Sequence, residues 1–145
     1  METKMNYAKA QRQAMNASEN NDCSVKAVAI ACDVPYKVAQ KALEKQGRKA
    51  RKGASLGSIQ LAVASLGYAM EPVTVNAKTV KTLDREPVVA KGHYMALVNG
   101  HILAIKDGVI EDWTDGRRNR ILLTYKVTPA FSRSERKALA KQLFV

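Results

Sequence analysis

The stretch "HYMALVNGHILAIKDGVIEDWT", residues 93–114, constrains this chain more than any other. Three apolar runs of period two are joined by Asn99-Gly100 and Asp107-Gly108. Such dipeptides between alternating runs are the strongest short-range mark of two-residue hairpins, and both read as type I′ turns. The expectation is a three-stranded antiparallel meander over 93–98, 101–106 and 109–114. Two-residue turns also set the register. Val98 should face His101 and Ala96 face Leu103; across the second turn Ile105 should face Ile110, Leu103 face Asp112, and His101 face Thr114. Side chains alternate between the faces of a strand, so His101 and Asp112 share a face with Tyr94, Ala96, Val98 and Ile105. They stand one diagonal step apart, roughly 7 Å at the backbone and within reach of a His–Asp hydrogen bond. Asp115, just past the paired region, is the second-choice carboxylate. His93 falls on the opposite face and reads as structural or surface.

The pattern upstream is helical. Residues 4–16 read as a mostly polar helix, and 17–22 as a polar loop offering three good N-caps, Asn20, Asn21 and Asp22. Residues 23–32, "CSVKAVAIAC", are apolar nearly all round, which marks a buried helix. "VPYKVAQKALEKQG" and "LGSIQLAVASLGY" give two more helices, ended by Gly47 and Gly67. "AMEPVTV" looks extended, "NAKTVKTLDRE" reads as a short helix or loop capped by Asn76, and "RILLTYKV", residues 120–127, reads as a fourth strand. "SRSERKALAKQLF" ends the chain as a helix with a Ser132–Glu135 capping box. Helices first and strands later imply an α+β domain. At 145 residues the expectation is one domain, 1–145, with 1–18 a loosely packed N-terminal helix and 131–145 a C-terminal helix.

No apolar run approaches the ~20 residues of a membrane span, and the first residues lack the apolar core of a signal peptide. A cytoplasmic protein with no membrane partner is expected. The two cysteines, Cys23 and Cys32, would lie roughly 13 Å apart on one helix, too far for a disulfide. Two free thiols fit a reducing compartment. No zinc spacing is present, and no metal or cofactor is implied. The formal charge of +11 concentrates in "KQGRKARK", 45–52, and "GRRNR", 116–120. Arg48, Lys49, Arg51, Lys52, Arg117, Arg118 and Arg120 are thus the candidate contacts to an acidic partner or nucleic acid. The C-terminal segment adds "RSERKALAK", and the aromatic residues of a single-strand stacking platform are absent from all three clusters.

Cys23 stands at the junction of the polar loop and the buried helix. A cysteine in a helix's first turn feels the positive end of the dipole, which favours the reactive thiolate. A histidine able to exchange its proton, oriented by a carboxylate, would complete a nucleophilic set: Cys23, His101 and Asp112.

Two blocks carry a resemblance. "NDCSVKAVAIACDVPYKVAQKALEKQGR" resembles a segment of small phage proteins in which Asn-Asp-Cys opens the helix. "GHYMALVNGHILAIKDGVIEDWTDGRR" resembles their second block, in which Gly-His, a strand, a Gly turn and a strand ending in Asp recur. These proteins look like compact, divergent papain-like cysteine peptidases, akin to bacteriocin-processing peptidase domains. The resemblance implies a papain-like fold, Cys23 as nucleophile, His101 as base and then acid, and Asp112 as its orienting partner. Where such enzymes place an upstream Gln as oxyanion donor this chain has Ala17, so Asn20 and Asn21 become the candidate donors. The expected activity is that of a thiol peptidase, isopeptidase or related amide hydrolase on a protein or peptide, in the host cytoplasm or carried in a virion. The alternative is a catalytically idle basic module of the same fold that binds a host factor or nucleic acid.

Overall fold

The computed structural model describes residues 4–145. The chain is α+β, with the helices packed on one five-stranded antiparallel sheet. Four helices come first: α1 (Tyr7–Asn16), α2 (Cys23–Ala31), α3 (Tyr36–Lys45) and α4 (Leu56–Ser65). Asn6 caps α1 by accepting from the Lys9 backbone N–H at 2.8 Å, and Ser55 caps α4 in the same way at 3.1 Å. Strand β1 (Tyr68–Val73) follows, then two short 3-10 helices, Val80–Arg85 and Pro87–Val89. Next come β2 (His93–Val98), β3 (His101–Lys106), β4 (Val109–Glu111), β5 (Ile121–Pro129) and α5 (Arg133–Gln142). The expected Ser132–Glu135 capping box opens α5. Among the described residues no helix is long and apolar enough to cross a membrane.

The strand order is β1-β5-β2-β3-β4. Val98 pairs with His101, Ala96 with Leu103, and Ile105 with Ile110, as the turn dipeptides imply. The two sheet faces then bury separate cores. Met95, Ile102, Ala104 and Val127 meet the four N-terminal helices. Tyr94, Ala96, Val98, Leu103, Ile105 and Ile110 are covered by Val80, Leu83 and Val89 of the 3-10 segments. Helix α2 lies along β3 with Cys23 at the His101 end, while its last carbonyl, Ala31 O, bonds His93 Nδ1 at 2.8 Å. His93 therefore ties the sheet to the helix.

Several expectations need correction. The third strand ends at Glu111, so the pairings of Leu103 with Asp112 and of His101 with Thr114 do not form. The chain turns instead through 112–116, where the Asp112 carboxylate accepts from Thr114 in place of backbone pairing with β3. The second hairpin has positive φ at both Asp107 (49°) and Gly108 (81°), as type I′ requires. At the first turn only Gly100 (71°) does, which matches type II; β2 also shifts register against β5 there, between Leu97 and Val98. Helix α1 is not loosely docked, because Met5, Ala10 and Ala14 are fully buried. The 3-10 segment is capped by Thr79, not Asn76, through a reciprocal Thr79–Thr82 box.

Arg48 is the sharpest departure. It is 5 % exposed, and its guanidinium forks onto the Glu19 carboxylate at 3.1 and 3.2 Å. Glu19 also accepts from Gln40 Nε2 at 2.6 Å and from the Arg51 backbone N–H at 2.8 Å. Burial alone would raise the Glu19 carboxyl, but these hydrogen bonds and the Arg48 charge hold it down at about 2. The residue is an internal strut between the 17–22 loop and the end of α3. Breaking a buried pair from one side leaves a charge stranded, so Arg48→Ala should cost about 3–5 kcal/mol in a denaturant titration. The depressed carboxyl fixes the sign with pH. Its stabilisation is fully present above the ordinary carboxylate range near ~4.3 and is lost as pH falls through about 2; the Arg48→Ala variant should lose that part of its acid limb.

Candidate active site

The site forms where α2 begins and β3 begins. Asn21 takes a left-handed φ of 49°, which turns the chain sharply into the helix. Asp22 occupies the N-cap position but makes no capping bond. Its buried carboxylate instead accepts from Tyr36 Oη at 2.7 Å and pairs with Lys26 Nζ at 3.2 Å. The first N–H groups of α2 are therefore left free of a competing side-chain acceptor, and half-buried Cys23 sits among them.

His101 Nε2 lies 2.7 Å from Asp112 Oδ2. That same oxygen accepts from Thr114 Oγ1 at 2.6 Å and from the Thr114 N–H at 3.2 Å. Thr114 is fully buried; it holds the carboxylate in place although Asp112 lies beyond the strand. With Nε2 engaged by Asp112, Nδ1 is the nitrogen left for Cys23. Trp113 packs its ring on the imidazole, centroids 5.2 Å apart, and Arg117 stacks on the outer face of Trp113 at 5.4 Å. Cys23, His101, Asp112 and Trp113 line a cleft of about 250 Å³ with Tyr7 and Lys26.

The electrostatics match a thiolate–imidazolium pair. Burial pushes the Cys23 thiol up, but a hydrogen bond with His101, the Ile102 and Ser24 backbone N–H groups and the His101 charge bring it below its usual range. Burial pushes His101 down, and bonding to Asp112 and Cys23 with their negative charges lifts it to about 9. Cys32 has the opposite environment. It is fully buried at the far end of α2, and burial followed by the Asp33 charge drives its thiol well above the ordinary range. A cavity of about 290 Å³ opens there beside Leu66, Tyr68 and Arg136, with no base poised on the thiol.

The structure thus brings Cys23, His101 and Asp112 together. Asp115 is exposed and forms no hydrogen bond with His101. Asn21 lines the cleft, but its amide donates to the Arg51 carbonyl at 3.3 Å. Asn20 is exposed and outside the lining. Lys49, Arg51, Lys52, Arg117, Arg118 and Arg120 are exposed, unlike Arg48. Sequence reasoning missed Thr114, Trp113, Asp22, Tyr7 and Lys26. The Asp-x-Thr spacing of an Asx-type turn was the available signal for Thr114; nothing local marks Tyr7. Among the described residues no cluster of three His, Cys, Asp or Glu side chains could hold a metal ion. No family model, curated protein or solved structure matches the chain.

Reactivity should divide the two thiols. Iodoacetamide should modify Cys23 and spare Cys32, at a rate that changes little between about pH 6 and 8, where an ordinary thiol gains roughly tenfold per unit. His101→Ala leaves only the Ile102 and Ser24 N–H groups to oppose burial and should slow the pH 6 reaction at least ~10-fold. Asp112→Asn should weaken it too, while Asp115→Asn should leave it unchanged; circular dichroism checks that each variant is folded.

Proposed function

We propose that this protein is a thiol peptidase or related amide hydrolase of papain-like fold and phage type, with Cys23, His101 and Asp112 as its catalytic set. The observation that carries the reading is the 2.7 Å His101–Asp112 bond in the cleft that Cys23 also lines. The order of elements supports it, with the nucleophile on an early buried helix, the base on a later antiparallel strand and the carboxylate in the turn that follows β4.

The reaction follows from these groups. The Cys23 thiolate attacks the carbonyl carbon of a bound amide and a C–S bond forms. As the C–N bond breaks, the His101 imidazolium gives its Nδ1 proton to the departing nitrogen. His101, now neutral, takes a proton from water; the hydroxide adds to the thioester carbonyl, the C–S bond breaks, and acid and thiolate are released. Asp112 and Thr114 keep the ring in one orientation through both halves. The oxyanion would be held by the N–H groups at the start of α2, where the Cys23 N–H has no acceptor among the described residues. The steps as written use no metal or cofactor.

One observation favours the second reading, a binding module of the same fold. The Asn21 amide, the nearer of the two Asn candidates to the thiol in sequence, is already committed to Arg51. Loss of an oxyanion donor costs about 100–1000-fold in rate. The test is cleavage of denatured casein, followed by mass spectrometry. Cys23→Ala and His101→Ala should each abolish it, and Asp112→Asn should lower kcat by about 10–10⁴-fold. Cleavage that survives Cys23→Ala, or none by the unaltered protein, would favour the binding module.

A further inference from the structure

The two basic segments lie far apart in sequence, yet each is anchored to the wall of the same cleft. On one side Glu19, four residues before Cys23, clasps Arg48 and the Arg51 N–H. Asn21, two residues before Cys23, holds the Arg51 carbonyl at 3.3 Å. Arg51 is kept at a left-handed φ of 62° by these contacts, so the loop that presents Arg51 and Lys52 is fixed to the chain entering the nucleophile. On the other side Arg117 lies 5.4 Å over Trp113, which packs on His101. The Arg117 N–H donates to Thr114 O and its carbonyl accepts from the Lys81 N–H, both at 2.8 Å. Arg51, Lys52, Arg117 and Arg118 are exposed and pair with no carboxylate among the described residues.

We infer that these segments are the two rims of the substrate cleft, and that they select a polypeptide with acidic residues on both sides of the reacting carbonyl. The inference rests on the thiol-hydrolase reading and names its substrate class. Cations fixed on both rims attract such a chain and align it across Cys23, and a preorganised loop loses little entropy when it binds. The carboxylates inside the cleft do not oppose this, since Asp22 faces Lys26 and Asp112 faces His101. A nucleic acid fits less well. The rims carry one aromatic face, the half-exposed Trp113, already contacted by His101 and Arg117, where single-strand binders stack successive bases on several, and the chemistry between the rims acts on acyl groups.

The test uses three peptide vinyl sulfones of equal length and identical core, flanked by Glu, Gln or Lys, with labelling of Cys23 followed by mass spectrometry. At low salt the Glu peptide should label about fivefold faster than the Gln peptide, and the Lys peptide slowest. The spread should collapse in ~0.5 M salt. Lys52→Glu combined with Arg117→Glu should reverse the order; the ratio of rates cancels any general change in thiol reactivity. Equal rates, or no labelling by any of them, with rapid iodoacetamide modification of Cys23, would overturn the substrate assignment and leave the thiol reading standing. Iodoacetamide modification no faster than that of free cysteine would overturn the thiol reading itself. Stronger protection of Cys23 by a single-stranded DNA oligonucleotide than by a poly-glutamate peptide of equal charge would assign the rims to nucleic acid and overturn the inference.

Discussion

The rest of the molecule depends on the burial of α2. Seven of its nine residues are buried, and Val25, Val28, Ala29 and Ala31 have essentially no contact with water. A helix apolar on every side must be wrapped on every side, so α1, α3, α4 and the sheet close around it. Only its ends can meet solvent. One end is sealed by the His93 bond to Ala31 and by Lys106, which reaches Asp33 and the Met5 carbonyl. The other end opens on the cleft, and there the chain places Cys23. A central helix has one first turn, and that turn combines the dipole's positive end with partial exposure.

The loop before α2 turns this opportunity into geometry. Glu19 and Asp22 are both acidic and both buried, but they act differently. Glu19 binds a distant loop through Arg48 and stays ionised. Asp22 is drawn aside by Tyr36 and Lys26, so it caps nothing and leaves the N–H groups beside the thiol free. An ordinary N-cap there would fill the same donors that a thiolate or an oxyanion needs. Local helix capping gives way at this residue to the Tyr36 and Lys26 contacts, a conflict of the kind that functional positions carry.

Much of this was legible because the turns are explicit. Two Gly dipeptides fix a period-two register, and with it the shared face of His101 and Ile105. The register failed where pairing stopped, at Glu111. Asp112 still reaches His101 because Thr114 replaces the missing strand as its support. A hydroxyl can do this from a turn, and no periodicity reveals it. The fate of Arg48 was hidden for a related reason. Composition counts cations, but whether one is buried depends on a carboxylate 29 positions away. Trp113 posed the same difficulty, since its value lies in its contacts with the His101 ring and the Arg117 guanidinium.

The strand order carries a consequence for how the protein is made. β5, made after the other four strands, lies between β1 and β2. Until it inserts, β1 has no partner and β2 has only its hairpin neighbour. Contacts between residues so far apart in sequence close slowly and late in folding. A nascent chain that carries Cys23 but has not completed this sheet lacks a settled His101 and thus a base for the thiol. Pairing of the Cys23 thiol with His101 therefore waits for β5 to be made, and a chain stalled before that strand would hold an ordinary thiol.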